Sequence, residues 1–304
     1  MKSLPKIITV FYGILFFLVP LILWPFTSEI FEFNKMVVTY LLTILIVSAW
    51  VIRMISEKKF IFRRTILDIP LLIFLASQVI STLLSIDMLT SWLGYYSRFN
   101  GGLLSTISYL LLYWAFVSNI KKDDVKKIIN VTLWSATAVA IYGVLEHFGI
   151  DKNIWQQDVQ SRVFSTLGQP NWLAAWLVAL IPITWTETIS NFRFPISKQV
   201  PKSKTFKPII FLILSLLFFV VLLFTKSRSG LIGFAAASLI FWFYALVTDF
   251  KNNFKHFLVF NISYLIFALV IGTQFTPSLN QLINKSTIQP ISQSTGTALA
   301  TGGT

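Results

Sequence analysis

Apolar runs of about 18 residues or more recur along the whole 304-residue chain. A run of that length, wound as an α-helix, crosses the hydrocarbon core of a bilayer. There the backbone must satisfy its own polar groups. Roughly 20 residues are needed per crossing, which leaves room here for about ten crossings joined by short loops. Hydrophobic residues make up 55% of the chain and charged ones 12%, which excludes an ordinary soluble domain. The first apolar run is followed by many others and lacks a small-residue cleavage site, so it reads as an anchor rather than a removed signal peptide. There are no cysteines, which excludes disulfides, thiolate catalysis and cysteine-based metal sites. His147 and His256 are the two imidazoles.

The pattern predicts an all-α, polytopic transmembrane bundle of about nine spans. They lie near 7–25, 36–53, 67–86, 102–119, 128–147, 171–189, 208–225, 230–248 and 257–275. Pro20 and Pro182 fall within spans, where neighbouring helices can satisfy the freed carbonyls. Trp24, Trp50, Trp92, Trp114 and Trp172 fall near span ends, as interfacial aromatics do.

The basic residues set the orientation. Eighteen of the 25 Lys and Arg sort to loops on one side, from Lys2 and Lys6 through Arg63 and Lys127 to Lys251 and Lys255. Seven sort to the other: Lys35, Arg98, Lys152, Arg162, Lys226, Arg228 and Lys285. Lys and Arg concentrate in cytoplasmic loops, so the N-terminus is expected inside and the residues after the ninth span outside. The same sorting accounts for the net charge of +13 without nucleic acid. Residues 1–275 then form the transmembrane domain, and the Ser/Thr/Gly/Gln-rich 276–304 the flexible start of an extracytoplasmic loop. An odd number of spans ending outside in an unfinished loop points to a truncated chain.

An arginine on the outer face works against the orienting rule, which makes Arg162 and Arg228 candidates for chemistry. Arg162 precedes Gly168-Gln169-Pro170-Asn171, where Pro170 suits the first turn of a helix and Gln169 or Asn171 can satisfy free N–H groups. A helix N-terminus beside an arginine attracts an anion from two independent sources. Arg228 lies in the tight connection Thr225-Lys226-Ser227-Arg228-Ser229-Gly230, whose small residues leave room for close approach of a ligand. A guanidinium grips phosphate through two parallel hydrogen bonds. The same arginines also suit snorkelling to lipid phosphates. Glu146-His147 at the end of the fifth span reads as a local acid–base pair or, more simply, as a polar helix end. Asp68 reads as a helix cap and Glu187 as an interfacial residue. No His/carboxylate cluster suggests a metal.

Three segments carry a resemblance to a known family. Arg162 through Leu177 is similar to an arginine, linker, glycine and Pro-Asn pattern leading into Leu-Ala. Thr225 through Gly233, TKSRSGLIG, is similar to a Ser-Arg-small-Gly segment. Tyr96 through Gly102, YSRFNGG, is a looser third match. In this order and on the outer face they resemble the O-antigen ligase/O-antigen polymerase (Wzy-like) family, which includes bacterial protein O-oligosaccharyltransferases.

The resemblance implies a GT-C-like glycosyltransferase of the bacterial cytoplasmic (inner) membrane that needs no metal or other cofactor. Its donor would be a glycan on undecaprenyl diphosphate. Its acceptor would be a lipid, glycan or protein on the extracytoplasmic face, with the GQPN spelling leaning toward protein. Arg162 and Arg228 would be catalytic, binding the diphosphate and stabilising leaving-group charge. Arg98, Gln169, Asn171, Lys226 and Ser227 would bind substrate. The family's large outer loop with its histidine corresponds to neither His147 nor His256. Two other classes remain: a transporter or flippase of a polyprenyl-linked or other anionic substrate, which calls for broken helices and mid-membrane charge, and a non-catalytic envelope scaffold, in which Arg162 and Arg228 need not converge.

Overall fold

The computed structural model describes residues 4–27, 29–95, 98–192 and 206–277, the side chains of 191, 192, 206 and 207 excepted. Among these residues the chain is helical, with no β-strand beyond an isolated bridge between Tyr95 and Arg98. The helices are α1 (Leu4–Leu21), α2 (Glu32–Glu57), α3 (Asp68–Leu83), α4 (Met88–Leu93), α5 (Leu103–Asn119), α6 (Lys122–His147), α7 (Pro170–Phe192), α8 (Phe206–Phe224), α9 (Arg228–Thr248) and α10 (Phe250–Ile271). Six of them, α1, α2, α6, α7, α9 and α10, are long and apolar enough to cross a membrane. Shorter apolar stretches occupy α3, α5 and α8. Their outward faces are apolar too. On α9, Leu239, Ile240, Phe243 and Val247 are each more than 70% exposed, a surface that water would not tolerate and lipid does. This is the build of a membrane protein.

Hydropathy located the helices but not their ends. Both α6 and α10 begin several residues ahead of their apolar windows, because polar first turns extend them. Asp123 and Asp124 stand in the first turn of α6, where the helix dipole favours acid. Asp249 caps α10 by accepting the Asn252 N–H at 3.3 Å. The short α4 was not expected; Asp87 caps it through the Thr90 N–H at 3.1 Å. Asp68 does not cap α3. It reaches back to Thr65 N at 2.8 Å and to Trp114 Nε1 at 3.1 Å, tying α3 to α5. Lys2, Arg193, Lys198, Lys202, Lys204, Lys285 and the chain beyond Pro277 lie outside the described residues.

Two apolar cores share α6. One packs Leu42, Ile46 and Trp50 of α2 against Ile8 and Tyr12 of α1, with Ala115 of α5 and Ile128 of α6. The other gathers Leu133, Ala136, Val139 and Ala140 of α6 with residues of α7 to α10. At its centre Trp185 is fully buried and donates to the Tyr264 hydroxyl at 2.6 Å, which meets Ser215 Oγ at 2.5 Å. A buried hydroxyl between two partners ties α7, α8 and α10 together.

Loops collect at the two ends of the bundle. Arg53, Lys58, Lys59, Lys121, Lys122 and Lys127 share one end, where Arg53 donates to Asn119 Oδ1 at 2.9 Å. Arg98, Arg162, Lys226 and Arg228 share the other. Tyr264→Phe, which leaves the Trp185 N–H without its acceptor, is expected to destabilise the bundle by about 1 kcal/mol in micelles. Reversible unfolding monitored by helical circular dichroism checks this.

Candidate functional site

The segment from Arg162 to Gly168 is wedged between helix ends rather than draped over them. Val163, Phe164, Ser165 and Thr166 are all buried. Since buried backbone groups need partners, the wedge takes them from four helices. Val163 N donates to Phe224 O of α8 at 3.2 Å. Phe164 N and Ser165 N donate to one carboxylate oxygen of Glu146 on α6, at 2.9 and 2.7 Å. Thr166 Oγ1 donates to Pro20 O of α1 at 2.7 Å, and Thr166 O accepts from Lys35 Nζ of α2 at 2.8 Å. Ser165 adopts φ 52, left-handed for a residue with a side chain. Its hydroxyl bond to Val139 O at 2.7 Å helps to hold it there.

Gly168 ends the wedge with φ +78, and a Cβ there would lie 2.4 Å from the Phe31 ring. That ring packs against Phe164 and Trp155 at 5.7 and 5.2 Å. Pro170 then opens α7 as its first residue. The expected side-chain caps differ, however. The Gln169 carbonyl, not its side chain, accepts Trp172 N and Leu173 N, and the Asn171 side chain turns to another helix.

That helix is α9. Ser227 is its N-cap, accepting Gly230 N at 3.1 Å, and its hydroxyl donates to Asn171 Oδ1 at 2.8 Å. Gly230 does not serve a ligand. A Cβ there would lie 2.6 Å from Ala174 Cβ, so glycine lets α9 close on α7. Two helix N-termini thus open side by side, each with a positive dipole end.

Arg162 and the Lys226–Arg228 turn meet at these N-termini. Arg162 Nε donates to Thr225 O at 3.3 Å. Lys226, at φ 48, and Arg228, the first residue of α9, follow one and three positions later. Arg162, Lys226 and Arg228 are all exposed. None has an acidic partner: the only ion pairs among the described residues are Arg53–Glu57 and Lys127–Asp124, both at the opposite end. Three uncommitted cations beside two helix N-termini form a strongly anion-attracting surface.

The remaining candidates divide. Gln169, Asn171 and Lys226 belong to this surface, whereas Ser227, expected to bind substrate, is buried beneath it with its hydroxyl committed to Gly230 N and Asn171 Oδ1. Arg98 lies apart from it, beside Glu32, whose carboxylate accepts Asn100 N at 3.1 Å. No hydrogen bond joins Arg98 to the Thr225–Arg228 turn, and its motif neighbours Tyr96 and Ser97 lie outside the described residues. Glu146 and His147 do not pair. Glu146 holds the wedge, and His147 stacks on Phe224 with ring centroids 3.8 Å apart. A cleft of about 660 Å³ opens next to Lys226, between His147, Phe224, Ile271 and Thr273. Neither Arg162 nor Arg228 lines it.

Sequence reasoning missed Glu146, Lys35 and Asp151 as positioning residues. Asp151, 4% exposed, accepts from Tyr142 Oη and Trp155 Nε1 at 2.7 and 2.6 Å and so fixes the loop before the wedge. The signal was present in Glu146 and Lys35: an ionisable residue at the margin of an apolar span usually has a partner that keeps it there. No protein-family model, curated protein or solved structure matches the chain.

Glu146→Ala would strip two buried N–H groups of their acceptor, at about 1–3 kcal/mol for each. Hydrogen exchange at the Phe164 and Ser165 amides is expected to accelerate strongly in Glu146→Ala and less in Glu146→Gln, which keeps an acceptor oxygen. Gly168→Ala is expected to lower the melting temperature well below that of Gly233→Ala, whose Cβ would meet only Val178 at 3.7 Å; a thermal melt in detergent compares them.

Proposed function

We propose that the chain is a glycan ligase or polymerase of the bacterial cytoplasmic membrane. In this reading it transfers a glycan from undecaprenyl diphosphate to a lipid, glycan or protein acceptor on the extracytoplasmic face. It crosses the membrane nine times in a GT-C-like arrangement, with its N-terminus in the cytoplasm. The observation that carries the reading is the junction of the Arg162 wedge with the α8–α9 turn, through Arg162 Nε to Thr225 O and Ser227 Oγ to Asn171. Two segments that resemble the O-antigen ligase family, about 60 residues apart, meet there as one cationic surface without carboxylate partners.

The chemistry follows from charge. Breaking the bond between the sugar's anomeric carbon and the diphosphate oxygen leaves negative charge on that oxygen. Guanidinium groups at Arg162 and Arg228 stabilise this charge more than they stabilise the intact donor, which lowers the barrier. Exclusion of water from this exposed face by the bound donor would strengthen that stabilisation. Lys226 adds charge, while Ser227 and Asn171 hold the two N-termini in register. A diphosphate spans two phosphates, which suits two arginines at neighbouring helix ends.

The test is glycan transfer in cells whose own copy carries Arg228→Lys. Lysine keeps the charge and loses the bidentate fork. Transfer is expected to fall by about 10²-fold or more with membrane insertion unchanged, as when one oxyanion-stabilising donor is lost. Unchanged transfer would make Arg228 an interfacial anchor and remove the site from this reading.

A further inference from the structure

The opposite end of the bundle holds a second cationic feature that the transfer reading does not use. A cleft of about 950 Å³ opens between the start of α1, the end of α2 and the start of α6. Pro5 and Val10 give it an apolar wall, and Lys6, Lys121 and Lys127 line it with Glu57 and Asp124. Both carboxylates are already committed. Glu57 pairs with Arg53 at 2.8 Å and Asp124 with Lys127 at 2.7 Å. Lys6 and Lys121 enter no ion pair or side-chain hydrogen bond among the described residues, so the cleft keeps an unneutralised pair of ammonium groups. Val10 is 58% exposed, and the helices that wall the cleft continue into lipid-facing apolar surface.

We propose that this cleft binds the phosphate headgroup of an anionic glycerophospholipid from the adjoining leaflet. The phosphate would lie between Lys6 and Lys121, and the upper acyl chain along Pro5 and Val10. Charge complementarity selects an anion, and the apolar wall beside the lysines selects one that carries a hydrocarbon chain. Basic pockets between spanning helices at a membrane face hold lipid headgroups by this combination. Lys58 and Lys59 share the same end but lie outside the cleft, which separates a built site from diffuse surface charge. The proposal is independent of the glycan-transfer reading.

The experiment titrates dioleoyl phosphatidylglycerol against the full chain in neutral detergent, reading the lipid concentration that gives half of the maximal thermal stabilisation. Phosphatidylcholine and inorganic phosphate form parallel arms. Lys6→Gln combined with Lys121→Gln should raise the half-stabilising concentration about tenfold or more, since each lysine near a lipid headgroup contributes roughly one such factor at most. The charge-matched pair Lys58→Gln and Lys59→Gln should raise it less than about twofold. Val10→Trp, which fills the apolar wall and leaves every charge in place, should weaken stabilisation as the cleft pair does, and it serves if the double variant fails to fold. Equal shifts for the two lysine pairs would overturn the proposal in favour of diffuse surface charge. Equal stabilisation by inorganic phosphate would make it a free-phosphate site. Equal stabilisation by phosphatidylcholine would remove the anion from the account.

Discussion

One carboxylate oxygen of Glu146, at the end of α6, receives two successive backbone N–H groups from Phe164 and Ser165. Without that acceptor the wedge from Val163 to Thr166 would bury unpaired amides, which is costly anywhere and more so at a membrane face. With it, the wedge can also draw on α1 through Pro20, on α2 through Lys35 and on α8 through Phe224. The two apolar cores are joined along α6 and at the end of α1, where Leu21 packs against the second core, and the wedge adds a further tie between them at this end. A local hydrogen-bond acceptor thereby sets the relative placement of helices far apart in sequence.

The same tie determines where the cations stand. Arg162 immediately precedes the buried wedge, so its backbone is fixed while its side chain stays exposed. On the facing side, the α8–α9 turn is too short to wander: Thr225, Lys226 and Ser227 connect two long helices, and Ser227 bonds across to Asn171. Left-handed residues at Ser165 and Lys226 mark both segments as conformations that the surroundings impose. Positive charges gathered without carboxylate partners repel one another. A bound anion would relieve that repulsion.

Much of the architecture was legible in advance because lipid imposes a simple rule, long apolar stretches wound as helices. Helix ends were less so, since capping by Asp87 and Asp249 and acidic first turns such as that of α6 act on polar residues that hydropathy ignores. In the site, Pro170 at the start of α7 followed from local pattern, while whether the two arginine segments meet was open until the Arg162–Thr225 and Ser227–Asn171 bonds brought them together. The partners that create the geometry were not legible in advance. Glu146 bonds a backbone 18 residues away, and Lys35 one 131 residues away; no local pattern encodes either. Gly230 was misread for a related reason: a small residue admits either a ligand or another helix, and only Ala174 across from it decides for the helix.

The central claim is that the Arg162 wedge and the α8–α9 turn form one diphosphate site. The most direct measurement is equilibrium binding of farnesyl diphosphate and farnesyl monophosphate to the full chain in neutral nanodiscs, with and without Arg162→Gln and Arg228→Gln. The account predicts that the diphosphate binds about tenfold more tightly than the monophosphate, and that either substitution alone abolishes this preference. Equal binding of the two lipids by the unaltered chain, or a preference that survives both substitutions, would contradict it.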